Sequence, residues 1–159
     1  MVKPIPEGFH TATICLTVKN SVEAINFYKK ALDAQELFRM PGPDGKTTMH
    51  AEIKIGDSII MLNDEFPKMG CLSPQSVGGA SAGVYLYVPD VDATIKKAAD
   101  AGAKIKMPTT DMFWGDRMGS IEDPFGHQWT IATHTKDLTP DQIAKAAQES
   151  MKNMTADCM

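Results

Sequence analysis

The chain is poor in cysteine and has no cysteine pairing motif. Its three cysteines, Cys15, Cys71 and Cys158, are widely spaced with no CxxC, which argues against a disulfide framework or a zinc knuckle and predicts reduced thiols. No run of Lys and Arg interleaved with aromatics is present, and the formal charge is -4. A nucleic-acid partner is therefore not expected, because an acidic balance repels phosphate. No apolar stretch reaches the length of a membrane span, and Met1 to His10, with two prolines and an acid, lacks the apolar core of a signal peptide. The sequence predicts a cytoplasmic protein with no membrane partner.

What is present fits one globular domain: 159 residues, 43% hydrophobic and 23% charged, enough to bury a core but not to build two large ones. The informative feature is self-similarity. Ala24 to Ala34 (AINFYKKALDA) and Ala93 to Ala103 (ATIKKAADAGA) are helix segments of equal length, each following a strand that ends in Val18 or Val88. Each is preceded by a capping residue, Asn20 or Asp90, able to accept from the free amides of a first helical turn. The same offset, 69 residues, carries the turn at Gly56-Asp57 onto Phe125-Gly126. Strands repeat along with helices.

Alternation defines those strands. In Ala12 to Val18 the apolar set is Ala12, Ile14, Leu16 and Val18, with Thr13, Cys15 and Thr17 opposite; in Gly83 to Val88 it is Val84, Leu86 and Val88, opposite Gly83, Tyr85 and Tyr87. Glu36 to Met40 reads as a strand, Pro43-Asp44-Gly45 as a turn, and His50 to Ile55 with Ser58 to Asn63 as a hairpin. The second half repeats this with Lys104 to Met107, then Arg117 to Glu122 and His127 to His134 closed by Asp123-Pro124-Phe125-Gly126. Residues 9 to 63 and 82 to 135 are the two βαβββ modules, and the Pro-, Gly- and Ser-rich residues 64 to 81 are the linker. Thr139-Pro140-Asp141-Gln142 starts a short helix over 139 to 150, after which the end, to Met159, is expected to fray.

FYKKALDAQ in the first half and DPFGHQWTIATH in the second resemble the vicinal oxygen chelate superfamily of glyoxalase I, bleomycin resistance proteins and extradiol dioxygenases. HAEIKIGDSIIMLND with DMFWGDRMGSIEDPFGHQWTIATH is similar to its PhnB-like branch, over roughly residues 9 to 135. The resemblance implies an α+β fold in which the modules form a cup-shaped mixed sheet with helices on the outer face, plus the short C-terminal helix. It also implies a homodimer, which would cover open strand edges. Relatives that use a metal hold it through His or Glu on the first, fourth, fifth and eighth strands. Thr13, Met61, Gly83 and Thr130 stand at the matching positions here, and none is a usual ligand.

The cup face is then expected to present Thr13, Cys15, Thr17, His50, Glu52, Met61 and Asn63 from the first half. The second half should add Tyr85, Tyr87, Arg117, Gly119, Ile121, Gln128, Thr130 and His134. Pairing across the DPFG turn puts Arg117 opposite Ala132. Arg117 then either grips a ligand carboxylate or phosphate or pairs with Asp116, Glu122 or another acid. His50 and Glu52 either form an acid and base pair or bond across the hairpin to Asn63. Trp114, with Phe113, either walls the cup or plugs the core or a dimer contact. His127 is expected beside Trp129 in a structural role, His10 exposed, and Cys15 to be a small buried strand residue rather than a nucleophile.

Two functions follow. In the first, the cup binds a small organic ligand without a divalent metal or other cofactor, through Thr13, Cys15, Met61, Asn63, Tyr85, Tyr87, Trp114, Arg117, Thr130 and His134. In the second, the protein is an enzyme of lyase, isomerase or dioxygenase type. It would then use either a displaced metal at His50, Glu52 and His134 or metal-free catalysis by His50 and Glu52 with Arg117. PhnB-like chains are sometimes described as methyltransferases, but no glycine-rich loop of the kind that cradles adenosylmethionine is visible.

Overall fold

Caps and stripes of apolar residues set the two long helices. In α1 (Ser21–Leu32) the buried residues Ala24, Ile25, Phe27, Tyr28, Ala31 and Leu32 form one helical stripe, and Asn20 Oδ1 accepts from the Glu23 amide at 3.2 Å. The matching α3 (Val91–Asp100) buries Val91, Ile95 and Ala98, and Asp90 Oδ1 accepts from the Ala93 amide at 2.9 Å. The computed structural model describes residues 2 to 157, with side chains through residue 152. Cys158 and the expected fraying up to Met159 lie outside the described residues.

The strands are β1 (Cys15–Val18), β2 (Gln35–Pro41), β3 (Thr48–Ile55), β4 (Ser58–Asp64), β5 (Gly83–Tyr87), β6 (Lys104–Asp111), β7 (Asp116–Glu122) and β8 (Gln128–His134). They build two four-stranded mixed sheets of identical order, β1-β4-β3-β2 and β5-β8-β7-β6, with the first pair parallel in each. This is the expected tandem βαβββ arrangement. Among the described residues no strand pair joins the two sheets, so they do not form one continuous sheet.

One core nevertheless serves both modules. α1 packs on its own sheet and on α3, and Tyr28 reaches the second module, where its ring lies 5.4 Å from fully buried Trp129. Asp123 ties the joint. Its carboxylate accepts from Tyr28 Oη at 2.7 Å, Trp129 Nε1 at 2.9 Å and the amides of Phe125 and His127, each at 2.9 Å. Burial, with the carboxylate beside it, holds the Tyr28 phenol well above its ordinary pKa.

Three expectations are corrected. Strand β1 begins at Cys15 rather than Ala12; Thr13 Oγ1 instead bonds back to the His10 carbonyl at 3.3 Å, and only the Ile14 carbonyl, which accepts from the Met61 amide at 2.9 Å, extends the ladder. The linker contains a 3-10 turn (Pro67–Met69) and a one-turn helix, α2 (Pro74–Val77). The last helix, α4 (Pro140–Asp157), runs well past residue 150, because the Thr139 and Gln142 cap starts it and no proline or glycine follows to stop it. Among the described residues, no helix is long and apolar enough to cross a membrane.

Candidate functional site

The largest correction concerns strand β7. The second hairpin closes with the Asp123 amide donating to the His127 carbonyl at 2.9 Å, and the strands pair Glu122 with Gln128 and Arg117 with Thr133. The turn therefore holds five residues, one more than DPFG alone supplies. Shifting an antiparallel register by one residue turns every side chain of the strand to the other face.

Arg117, Gly119 and Ile121 accordingly face the helix and not the cup. Gly119 lies under α3, where an added Cβ would come within 2.5 Å of Ile95 Cδ1. Arg117 Nε and Nη2 donate to the Asp92 carboxylate at 2.7 and 2.9 Å, and Nη1 to Asp111 Oδ1 at 3.2 Å. The Arg117 guanidinium, with help from Thr109, pulls the Asp92 carboxyl down to about 2. The expected ion pair exists, with Asp92 and Asp111 as the acids, and it holds the guanidinium on the side away from the open face.

In place of Arg117, the open face of the second sheet receives Asp116. Its carboxylate is 3% exposed and is reached from four directions. His134 Nδ1 lies 2.7 Å from Oδ1; Tyr87 Oη, Trp114 Nε1 and Tyr85 Oη lie 2.9, 3.1 and 3.5 Å from Oδ2. Because a carboxylate only accepts, each of these groups donates to it, which places a proton on His134 Nδ1. Burial pushes the Asp116 carboxyl up, but the bonds from His134, Tyr87 and Trp114 outweigh it and the net displacement is downward. Asp116 in turn lifts the Tyr87 phenol to about 12.

The sequence reading did not select Asp116, although the error lay in one register step. Tyr85, Tyr87, Trp114 and His134 were selected and are brought together. Trp114 stands edge-on to Phe113 with ring centroids 4.8 Å apart. It enters the face from a turn that needs Gly115 at φ +101, where an added Cβ would meet the Lys136 carbonyl at 2.3 Å. Thr130 pairs with Tyr85 and Ser120 on the same face.

His134 is 51% exposed on its side chain, and Asp137 Oδ1 lies 3.0 Å from Nε2. The hydrogen bonds to Asp116 and then Asp137 raise its pKa above the ordinary 6.5. The stabilisation is thus full below the unfolded pKa and lost as pH rises through the folded one. Chemical denaturation should show a stability gap between the wild type and His134→Gln that is widest below the ordinary pKa of 6.5 and narrows as pH rises above it. A gap that widened with pH would contradict the pairing.

The first sheet holds the remaining candidates in smaller groups. His50 Nε2 lies 3.1 Å from Glu52 Oε1, within hydrogen-bond distance. Asn63 is not their partner: its Nδ2 donates to the Asp64 carbonyl at 2.7 Å and to Thr17 Oγ1 at 3.4 Å, while Cys15 Sγ donates to Asn63 Oδ1 at 3.5 Å. Met61 pairs with Cys15 and Glu52 on this face. Cys15 is exposed rather than buried as expected, because its strand face lies on the open side of the sheet; partial desolvation, and then Cys71, still raise its thiol pKa, which disfavours the thiolate. His127 Nε2 meets the Thr17 carbonyl at 2.9 Å, a structural tie between modules, and His10 is exposed.

Two clefts lie where the modules face each other. One, of about 360 Å³, lies between Cys15 and Thr17 of β1 and Gly83 and Gln128, under Leu72, Pro74 and Val77 of the linker. Another, of about 500 Å³, is lined by Tyr85, Tyr87, Asp33 and Asp57 among others. The residues do not suit the metal centre of the resemblance: Thr13, Met61, Gly83 and Thr130 offer no imidazole or carboxylate to an ion. Nor do His50, Glu52 and His134 assemble, since no group of three or more His, Cys, Asp or Glu among the described residues is disposed to hold a metal ion.

The comparisons agree with this architecture. An uncharacterized protein of Mycobacterium bovis is 42% identical over 134 residues, covering 82% of this chain and 88% of its own length. The crystal structure of TioX from Micromonospora sp. ML1 is similar with a TM-score of 0.59 and 26% identity, over 77% of this chain and 98% of that one. A protein from Bacillus cereus described as a putative 3-demethylubiquinone-9 3-methyltransferase, PhnB protein, shares the fold with a TM-score of 0.59 and 19% identity, over 78% of this chain and 99% of that one. The family model of the glyoxalase/bleomycin resistance protein/dioxygenase superfamily matches residues 9–131, and the chain belongs to that superfamily.

Proposed function

We propose that this protein binds a small organic molecule on the open faces of its sheets, without the divalent metal that other members hold there. The supporting observation is what occupies those faces. The positions that the resemblance assigns to the metal carry Met61, Gly83 and Thr130 on the sheets and Thr13 just before β1, while beside them lie two exposed tyrosines and a carboxylate hub that orders them. Exposed ring faces with a few fixed polar groups are the usual make-up of a ligand site.

Calorimetric titration with Zn, Ni, Mn and Fe ions is expected to give no stoichiometric tight binding, and one-to-one binding of any of them overturns the metal-free part. A thermal-shift screen of small organic molecules tests the rest. A ligand at a hundred times its dissociation constant should stabilise the fold by about 2.7 kcal/mol, and a screen without a stabilising compound counts against the reading.

A second reading, an enzyme of the lyase or isomerase type, rests on the 3.1 Å contact between His50 and Glu52. The carboxylate would hold the imidazole to receive and return a proton. If a turnover is found and both His50→Ala and Glu52→Gln leave its rate unchanged, this reading fails. Two further parts complete the proposal. A homodimer is supported by edge strand β2, which exposes Leu37, Phe38 and Met40. A cytoplasmic location is supported by the free thiols of Cys15 and Cys71.

A further inference from the structure

Four hydrogen-bond donors on the face of the second sheet point inward. The phenols of Tyr85 and Tyr87, the Trp114 indole and the Nδ1 of His134 converge on one buried carboxylate, Asp116. What the two tyrosines leave outward is of one electrical character. Tyr85 and Tyr87 are 47% and 60% exposed, with ring centroids 5.2 Å apart at a tilt of 43°. They present electron-rich ring faces and the free lone pairs of hydroxyls whose protons are already given away. The cation that a reading of the sequence would place here, Arg117, lies on the reverse of the sheet with Asp92 and Asp111.

From this arrangement we infer that the Tyr85 and Tyr87 face binds a small planar organic cation bearing N–H donors, and rejects carboxylates and phosphates of similar shape. The inference rests on the ligand-binding reading above and narrows it to one sheet and one class of charge. A cation over a tyrosine ring is attracted by the ring quadrupole, and its N–H groups find acceptors in the phenol oxygens. An anion seated over the two rings meets their lone pairs and electron-rich faces instead.

The neighbouring cleft has the same bias. Its volume of about 500 Å³ suits a small ligand, and it is lined by Asp33 and Asp57 as well as both tyrosines. Asp33 is paired with Lys97. Asp57, whose Oδ1 accepts from the Ser58 hydroxyl at 3.0 Å, adds negative charge at its edge.

The test compares two tricyclic probes of matched shape and opposite charge, protonated aminoacridine and anthracene carboxylate, titrated into the full chain by calorimetry. The cation is expected to bind at least about tenfold more tightly, and Tyr87→Ala to remove most of that preference, in keeping with the strength of a cation over an aromatic ring. Tyr87→Phe, which keeps the ring, should retain more of it than the alanine variant, and thermal melts verify that both variants fold.

Equal or tighter binding of the anion overturns the inference. So does an affinity for the cation that falls with His50→Ala but not with Tyr87→Ala, which would put the ligand on the first sheet and leave the ligand-binding reading standing. If neither probe binds, the inference fails, and the thermal-shift screen decides the broader reading on its own.

Discussion

Replacing Asp123 by alanine is expected to lower the unfolding free energy by about 3 to 5 kcal/mol, among the largest losses any single substitution would cause here. The variant strands two side-chain donors on fully buried residues, Tyr28 and Trp129, along with the amides of Phe125 and His127. Water has no route to the first two, so their desolvation is left uncompensated. Urea unfolding of Asp123→Ala and Tyr28→Phe, singly and together, measures the effect. The double variant should lose less than the sum of the singles, because both break the same bond. A loss below about 1 kcal/mol for Asp123→Ala would mean that this acid does not pin the modules together.

The same bond gives the fold an alkaline limit. Tyr28 must stay neutral to donate, and its folded pKa is raised well above the ordinary 10.0. Its stabilisation is therefore complete below the unfolded pKa and lost as pH rises through the folded value.

Asp116→Ala should act on the site more than on the fold. The four donors it releases sit at an open face where water can replace the carboxylate, so the expected cost is about 1 to 2 kcal/mol. The functional change is larger. Without Asp116, the tyrosine hydroxyls and the Trp114 indole lose their common anchor, and His134 loses the first cause of its raised pKa. NMR titration of the His134 ring should show its pKa falling from the raised wild-type value toward 6.5 in the variant. An unchanged titration would show that Asp116 does not hold His134, and the account of the hub would fail with it.

Much of the fold could be read without coordinates because it is written in local chemistry. The caps Asn20 and Asp90, the stripe from Ala24 to Leu32 and the Thr139 and Gln142 box act within a few residues, and each forms as its spacing predicts. The resemblance carried the pairing order of the strands. The site was less accessible. Tyr85, Tyr87, Trp114 and His134 could be picked out by type and alternation, yet their common partner is one residue away from the Arg117 that the hairpin reading chose. The whole discrepancy traces to the turn: the Asp123 side chain takes the amides of Phe125 and His127, the loop closes at His127, and β7 is turned over.

The sequence by itself determined the repeat, the helix starts and the alternation within each strand, since these depend on periodicity and on contacts between near neighbours. Only the tertiary structure decided which face of β7 meets the open side, that His50 bonds Glu52 and not Asn63, and that Asp116 gathers residues as distant as Tyr85. Those outcomes turn on how one loop closes and on where whole strands come to lie. A single backbone hydrogen bond at the turn, from the Asp123 amide to the His127 carbonyl, sets the facing of all seven residues of β7, and no local pattern records it.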